Sequence, residues 1–259
     1  DALTDDNVPA ALGRARDLMQ DIGDRLDSPC LATAVGVAAP IDPRTSTIRA
    51  WPTSPFTAAN AALGAALGIP DGRPVHVDND VNWATLAEHR VGSMQQASDF
   101  LYIYLGAGVG AGLFLGGQVH RGHHGLAGEI CFTRMENEET FMGRLARSPI
   151  GTHDGWGGSI DTARALELFN DPGAVTDLGP LVDDIARVIA NIATAIDPSA
   201  IVVGGPLAEA APLIEALGQR LQLPSLADVA ITPTALGRDA PLCGAALGAL
   251  ELARRNRRR

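Results

Sequence analysis

A short run of polar residues, Asp78, Asn79 and Asp80, follows directly on the apolar stretch "PVHV". Such a run is expected at the carboxyl end of a strand, the edge at which open α/β sheets bind ligands. There Asp80 could accept a proton from a substrate hydroxyl while Asn79 holds the neighbouring hydroxyls. The alternative is that Asp80 merely caps the helix predicted over "VNWATLAEHR". Spacing alone does not separate a base from a cap.

The second candidate is Glu129, which stands among glycine, alanine and leucine in "RGHHGLAGE". A carboxylate in such surroundings is costly to bury unless something binds it. Three histidines lie nearby, at His120, His123 and His124, and invite a metal interpretation. No cysteine or carboxylate accompanies them at a recognisable ligand spacing, which disfavours a metal site.

Two glycine-rich segments could bring backbone N–H groups close to a phosphate or a sugar. The glycines concerned are Gly106, Gly108 and Gly110 in "LGAGVGAG", and Gly204 and Gly205 in "VVGGP". The first segment is not a dinucleotide-binding fingerprint, because a strand rather than a helix is predicted after it. The alternative interpretation of this first segment is a hairpin turn with glycine at positive φ. The second segment suits either a nucleotide or tight packing between a strand and a helix.

The elements that must position these residues alternate between strand and helix, which predicts an α/β fold. Helical periodicity and stop signals predict helices over Val8–Leu26, Thr57–Gly68 and Pro180–Asp197, and the last helix over "APLCGAALGALELARR". A single helix is also predicted over "PLAEAAPLIEALGQRL". Strands are predicted over Leu31–Pro40, Pro74–Asp80, Ala200–Gly205 and "DVAITPTAL", and a strand, a tight turn and a second strand over Asp99–Gly122.

Composition excludes several classes of function. The formal net charge of −10 argues against a nucleic-acid surface on this chain, and the terminal "RRNRRR" is interpreted as a solvated tail. All 20 cationic side chains are arginine, which excludes a Schiff-base lysine and a Walker lysine. The 3 cysteines are far apart and form no CxxC pair, so neither a disulfide framework nor a cysteine zinc site is expected.

The expected location is the cytoplasm. No apolar run reaches the roughly 18 residues of a membrane span, and no signal peptide precedes "DALTDDN". We therefore expect no membrane partner.

The motifs occur in the order "HVDND", "LGAGVGAG", "GGQVHRGHHGLAGE", "IDPSAIVVGG" and "GAALGAL". This ordered set resembles the ROK family (repressors, open reading frames and sugar kinases) of the actin-like ATPase superfamily. The resemblance implies two lobes around a cleft, each built on a ribonuclease-H-like sheet. The implied small lobe covers residues 1–103, is incomplete, and is completed by the C-terminal helix at 242–259. The larger lobe would cover 104–241.

The resemblance also implies roles for individual residues. Asp80 matches the family's catalytic base, and Asn79 and Glu129 match residues that hold sugar hydroxyls. Gly106, Gly108 and Gly110 match a loop on the phosphate side, and Gly204 and Gly205 match a turn on the nucleotide side.

The departures from the family pattern are equally informative. The "DxGGT"-like phosphate motif is absent, so we expect the first strands of the N-terminal lobe to be missing from this chain. Phe132 stands where the family usually has a histidine, and "TRMENEETFMGRLARS" contains no "CxCGxxGC" cluster. Structural zinc is therefore not expected. A further sugar contact of the family, a glutamate within that cluster, has no match here, and Arg144 is placed near its position.

These departures favour a non-enzymatic function: the sugar- or sugar-phosphate-binding domain of a ROK transcriptional regulator. In this hypothesis a winged helix upstream of Asp1 contacts DNA, and no cofactor is needed. The alternative is a sugar kinase that uses ATP and Mg²⁺, with Asp80 as its base. A third hypothesis is a degenerate fold that serves in dimerisation. The family tendency is a homodimer or homotetramer.

Overall fold

Strands and helices alternate along the described chain. The computed structural model describes residues 8–26, 30–49, 67, 69, 73–152, 158–171, 174, 177–226 and 228–257. The strands are β1 (Thr33–Val37), β2 (Ile41–Asp42), β3 (Thr47–Ile48), β4 (Val75–Asn79), β5 (Phe100–Leu105), β6 (Val109–Leu115), β7 (Gln118–Val119), β8 (Gly151–Thr152), β9 (Ser159–Ile160), β10 (Ala200–Gly204) and β11 (Ala230–Pro233). The helices are α1 (Val8–Leu26), α2 (Asp80–Arg90), α3 (Phe141–Ala146), α4 (Thr162–Asn170), α5 (Gly179–Ile196), α6 (Ala211–Arg220) and α7 (Ala240–Asn256).

The largest sheet has five strands in the order β11-β10-β5-β6-β7. Strands β5, β10 and β11 are parallel to one another, whereas β6 and β7 are antiparallel to their neighbours. Every residue of β10 is buried, and so is all of β5 except Tyr104. Burial on both faces explains why "FLYIYL" and "AIVVG" are continuous apolar runs rather than alternating ones.

Successive side chains of β5 point into two different apolar layers. Leu101, Ile103 and Leu105 pack with residues of α5 and α6 on one face. Phe100 and Tyr102 pack on the opposite face, in a cluster that includes residues of α2 and α7. The sheet is thus covered by helices on both sides, and α2 is one of the elements that cover it.

A second, parallel pair of strands positions the polar run. β1 pairs with β4 in a register that places Val37 opposite Asn79. Val77 of β4 packs in a small apolar cluster with Ala39, Ile41 and Ile48. Strand β4 ends at Asn79 and α2 begins at Asp80, so no loop separates the strand from the helix.

Helix α2 is held between β6 and α7 by close backbone approaches. A Cβ atom on Gly112 of β6 would lie 1.7 Å from the Thr85 hydroxyl oxygen. On the other side, a Cβ on Gly244 of α7 would lie 1.8 Å from the Trp83 carbonyl oxygen. Trp83 itself is 1% exposed and donates its indole N–H to Val35 O at 3.1 Å. The small residues of "GAALGAL" therefore serve helix packing, and they fix where the N-terminus of α2 lies.

The predicted helices over Val8–Leu26, Pro180–Asp197 and the last segment are confirmed within a few residues. The strand predicted over Leu31–Pro40 is shorter, and its side chains are mostly half-buried because, within the described ranges, β4 is its one neighbour in the sheet. The single helix predicted after Gly205 is wrong. A 3₁₀ turn, Pro206–Glu209, precedes α6, because Pro212 has no amide N–H and cannot stand in a helix interior. The helix predicted over Thr57–Gly68 falls almost entirely outside the described residues.

None of the helices in the described ranges is both long and apolar enough to cross a membrane. Helix α7 packs against α2, β1 and β4. The division into lobes of residues 1–103 with 242–259, and of residues 104–241, stays a prediction.

We predict that Gly244→Ala destabilises the protein by about 1–3 kcal/mol, although alanine is otherwise the better helix former. The reason is that the clash is with a backbone oxygen of α2, which cannot move without displacing the helix. Urea denaturation measures the change. Gly23→Ala in α1 is the matched control, because a Cβ there meets nothing within 4 Å. Equal stability of the two variants would show that α2 and α7 are not in contact at Gly244.

Candidate functional site

Asp80 is the first residue of α2 and lies at the carboxyl end of β4. Its Oδ1 accepts a hydrogen bond from the Val81 amide at 2.9 Å, and no side chain of the described residues donates to the carboxylate. Burial raises the pKa of Asp80 to about 6, outweighing the opposing effect of the backbone hydrogen bond. The Asp80 carboxylate can therefore accept a further hydrogen bond, and its pKa lies near neutrality.

The helix cap is Asn79 rather than Asp80. Its Oδ1 accepts from the Val81 amide at 2.8 Å, and its Nδ2 donates to Ala39 O at 3.2 Å. The capping role considered for Asp80 thus belongs mainly to its neighbour. Asn79 keeps one N–H for another partner, and its predicted contact with sugar hydroxyls stays a prediction.

Glu129 is fixed by the glycine that precedes it. Gly128 has φ of +90°, and a Cβ there would lie 1.8 Å from Ala111 O of β6. Gly128 O accepts from the Ala111 amide at 2.8 Å, which attaches the loop to β6. Only glycine combines this φ with this approach. The carboxylate of Glu129 is consequently held beside the sheet rather than in solvent.

The pKa of Glu129 is raised to about 7, chiefly by burial and to a smaller extent by the negative charge of Asp80. The Cys131 thiol, 3.7 Å from Oε2, opposes this effect by donating a weak hydrogen bond. Burial, first of all, also raises the pKa of Cys131 to about 12, so this thiol is a hydrogen-bond donor and not a nucleophile. The structure thus brings Asp80 and Glu129, predicted from different motifs, close enough for their charges to interact.

A cavity of about 430 Å³ adjoins Glu129 and is lined also by Leu126, Phe132, Arg134 and Thr140. Its volume is in the range of small-molecule sites. Arg134 and Thr140 were not singled out from the sequence, since nothing in their local pattern distinguishes them. A larger open groove, about 750 Å³, lies between α6 and β11 and contains none of the candidate residues.

The segment without the expected cysteines forms a small hairpin. The Met135 amide donates to Glu139 O and the Phe141 amide to Thr133 O, each at 2.8 Å. Asn137 turns the chain with a φ of +59°. Arg144 does not reach the cavity beside Glu129, because its Nε donates to Asp184 Oδ2 on α5 at 2.9 Å. Backbone hydrogen bonds therefore close the segment in which the family pattern has its zinc ligands.

The two glycine segments meet at the carboxyl ends of neighbouring strands. Gly106 and Gly108 form the turn between β5 and β6, where the Gly106 amide donates to Gly108 O at 3.0 Å. Gly205 has φ of +81°, and a Cβ there would lie 2.4 Å from Leu105 O. Leu105, which precedes Gly106, is thus in close contact with the Gly204–Gly205 turn at the end of β10.

None of Gly106, Gly108 and Gly110 has a positive φ, so the alternative of a turn with left-handed glycine does not apply. A Cβ on Gly108 would meet nothing within 4 Å, whereas one on Gly110 would lie 3.2 Å from Val81 Cγ2. Gly108 is exposed at the tip of the turn. Gly110 therefore allows α2 to pack on β6, and the exposed backbone belongs to the Gly106–Gly108 turn.

The histidines are not arranged as metal ligands. His124 Nδ1 lies 3.3 Å from a nitrogen of the Arg49 guanidinium, a cation that would repel a metal ion. His123 makes an edge-on ring contact with His124. Among the residues with a described structure, no group of three or more histidine, cysteine, aspartate or glutamate side chains could hold a metal ion.

We predict that Glu129→Gln stabilises the protein at high pH by on the order of 1–3 kcal/mol. A raised pKa means that the folded state binds the proton more tightly than the unfolded chain does. The free-energy cost of ionising Glu129 in the folded protein is therefore absent below pH 4.5, grows as the pH rises, and is complete above about 7. Thermal melts from pH 4.5 to 8 measure it. Glu215→Gln, at an exposed position of α6, is the control. A stabilisation that does not depend on pH would contradict the burial of Glu129.

Absence of structural zinc stays a prediction, and elemental analysis of the purified protein tests it. We expect less than one zinc ion per several chains, because the segment after Glu129 lacks cysteine ligands beyond Cys131 and is closed by backbone hydrogen bonds. One zinc ion per chain that resists chelation would contradict this prediction.

Comparison with known proteins gives matches to sugar kinases. The chain is 27% identical over 201 residues to an N-acetylmannosamine kinase of Haemophilus influenzae, covering 73% of this chain and 67% of that protein. It is 31% identical over 205 residues to a glucokinase of Halalkalibacterium halodurans, covering 66% of this chain and 62% of that protein. The crystal structure of a ROK hexokinase from Thermus thermophilus has a TM-score of 0.72 and 28% identity, and covers 95% of this chain and 86% of that one.

These matches correct one expectation from the sequence. The hypothesis of a sugar-sensing domain of a transcriptional regulator is wrong, because the relatives described above, which are 27–31% identical to this chain, are sugar kinases. Phe132 and the missing cysteine cluster do not distinguish a regulator from an enzyme. The structure shows that the segment is closed without metal ligands, so their loss does not argue against an enzyme.

The expected fold class is confirmed: the mixed sheet with helices on both faces matches the fold of the Thermus thermophilus hexokinase. A family model described as "ROK family" matches residues 4–149 and 152–252, which include every candidate site residue. The resemblance inferred from the order of the motifs is thereby confirmed. The chain belongs to the ROK family.

Proposed function

We propose that the protein is an ATP-dependent sugar kinase that transfers a phosphoryl group to a hydroxyl of a hexose or an N-acyl hexosamine. The named kinases among its relatives support this reaction class. Because the chain spans 62–67% of the length of those relatives, the activity is proposed for the full-length protein.

The observation that carries the proposal is the Asp80 carboxylate, partly buried at the end of β4 with a pKa of about 6. A general base is most effective when its pKa lies near the working pH. In the proposed step, Asp80 accepts the proton of the sugar hydroxyl as that oxygen forms a bond to the γ-phosphorus. The bond between the γ-phosphorus and the bridging oxygen breaks, and ADP leaves with the electron pair.

Glu129 and Asn79 are proposed to bind the hydroxyls that do not react. A carboxylate can accept two hydroxyl hydrogen bonds, and Glu129 faces both the charge of Asp80 and the 430 Å³ cavity. Sugar hydroxyls that donate to Glu129 favour its ionised form. Substrate binding would therefore relieve the cost of keeping this carboxylate buried.

ATP is proposed to bind at the glycine segments. The Gly106–Gly108 turn exposes backbone to the phosphates, and the Gly204–Gly205 turn lies against it. Gly110, in this proposal, lets β6 and α2 come close behind the phosphate turn. Mg²⁺ enters with ATP as part of the substrate, since it usually keeps several waters and binds through phosphates and one or two carboxylates. The described residues fit this mode, because Asp80 has an oxygen to which no described side chain donates, and its neighbour Val81 packs on Gly110 of the first glycine segment.

The cleft of the two-lobed family fold is proposed as the place where sugar and nucleotide meet. The cytoplasmic location and the homodimer or homotetramer stay predictions.

We predict that the full-length protein releases ADP only when a suitable sugar is present, and that Asp80→Asn lowers kcat by about 10²- to 10⁴-fold. A coupled ADP assay over a panel of hexoses and N-acyl hexosamines measures both effects. Asp228→Asn, at an exposed position, is the control for loss of one carboxylate. For the wild type, kcat/KM should fall as the pH drops through 7 and 6, where Glu129 and Asp80 become protonated.

Two results would contradict the proposal. The first is sugar phosphorylation by Asp80→Asn at the rate of the control. The second is ATP turnover that does not depend on any sugar in the panel.

A further inference from the structure

A buried ion pair joins the two segments that carry the candidate carboxylates. Asp78 is 1% exposed, and its Oδ2 accepts from Arg121 Nε at 2.7 Å and from Arg121 Nη2 at 2.5 Å. Its Oδ1 accepts from Asn82 Nδ2 at 2.8 Å and from the Asn79 amide at 2.9 Å. Arg121 Nη1 donates to Val119 O at 3.2 Å. The carboxylate thus has four donors, and its partners keep it from turning toward a substrate.

The two partners come from different parts of the fold. Asp78 belongs to β4, in the pair of strands formed with β1, and stands two residues before Asp80. Arg121 follows β7 of the five-stranded sheet and begins the loop that ends at Glu129. A displacement between Asp78 and Arg121 would therefore displace one candidate carboxylate relative to the other.

Two glycines of the loop after Arg121 also lie in close contact with neighbouring strands, which fixes the position of the loop. Gly125 has φ of +73°, and a Cβ there would lie 1.7 Å from Ile41 O of β2. Gly128 lies against Ala111 O of β6, as described above. The loop is thus fixed at three points, and Arg121 is the one that connects it to β4, the strand that leads directly into the proposed base.

We propose that Arg121 and Asp78 are positioning residues, whose buried ion pair sets the place of Glu129 relative to Asp80 for sugar binding and phosphoryl transfer. This inference rests on the proposed kinase function. The pair does not touch substrate in this proposal and acts through the two carboxylates. Misplacing a reacting group by about 1 Å can cost on the order of 100-fold in rate.

The first test compares Arg121→Met with a matched control, Arg144→Met. The control also removes an arginine from a buried aspartate, Asp184, which is 4% exposed and does not line the cavity. Both variants should lose thermal stability. We expect kcat/KM for the best sugar to fall by about 10- to 100-fold in Arg121→Met and to stay near the wild-type value in Arg144→Met. Arg121→Lys, which keeps the charge and one donor, should recover part of the loss.

A double-mutant cycle separates positioning from general damage. If Arg121 acts through Glu129, then Arg121→Met should reduce kcat/KM much less in a Glu129→Ala background than in the wild type. Independent, multiplicative losses in the cycle, or an equal loss in Arg144→Met, would overturn the proposal.

A readout without activity keeps this test separate from that of the proposed function. In protein labelled with ¹³C at glutamate carboxyl groups, NMR titration follows Glu129, whose signal is assigned by its loss in Glu129→Gln. We expect the pKa of Glu129 to move toward the ordinary range in Arg121→Met, because the released loop gains water, and to stay raised in Arg144→Met. An unchanged titration in Arg121→Met would overturn the positioning role even if the protein phosphorylates no sugar.

Discussion

Two carboxylates, Asp80 and Glu129, are held in partly buried positions, and the negative charge of Asp80 raises the pKa of Glu129. Burial of an ionised group without a paired cation costs free energy, and the raised pKa values of both residues express that cost. A folded chain keeps such an arrangement only when the surrounding structure fixes it. Most of the features described above can be understood as parts of that surrounding structure.

Asp80 is fixed through its helix. Asn79 caps α2, Gly112 lets the helix approach β6, and Gly244 lets α7 approach it from the other side. Glu129 is fixed through its loop, by Gly128 against β6 and by Arg121 on Asp78. The stability of the molecule as a whole comes from the apolar layers on the two faces of the five-stranded sheet. Part of that stability offsets the cost of the two carboxylates, as is common at catalytic sites.

Much of this could be predicted from the sequence because local patterns determined it. The strand before Asp80, the hairpin of Asp99–Gly122 and the last helix follow from apolar runs and glycine stops. The order of the motifs predicted the family. What could not be predicted depends on contacts between distant segments. No local pattern pairs Asp78 with Arg121, and none shows that Arg144 binds Asp184 and not the cavity beside Glu129. The regulator hypothesis was wrong for a related reason: the loss of metal ligands says nothing about whether backbone hydrogen bonds can close the same segment.

The central claim is that these carboxylates serve phosphoryl transfer to a sugar, and ³¹P NMR of the full-length protein with MgATP tests it most directly. With a hexose or N-acyl hexosamine that the protein accepts, the account predicts a phosphate-monoester signal of the sugar that grows as the γ-phosphate signal of ATP disappears. The signal should not appear with Asp80→Asn. Persistence of ATP with every sugar tried, or release of inorganic phosphate without a sugar ester, would contradict the account.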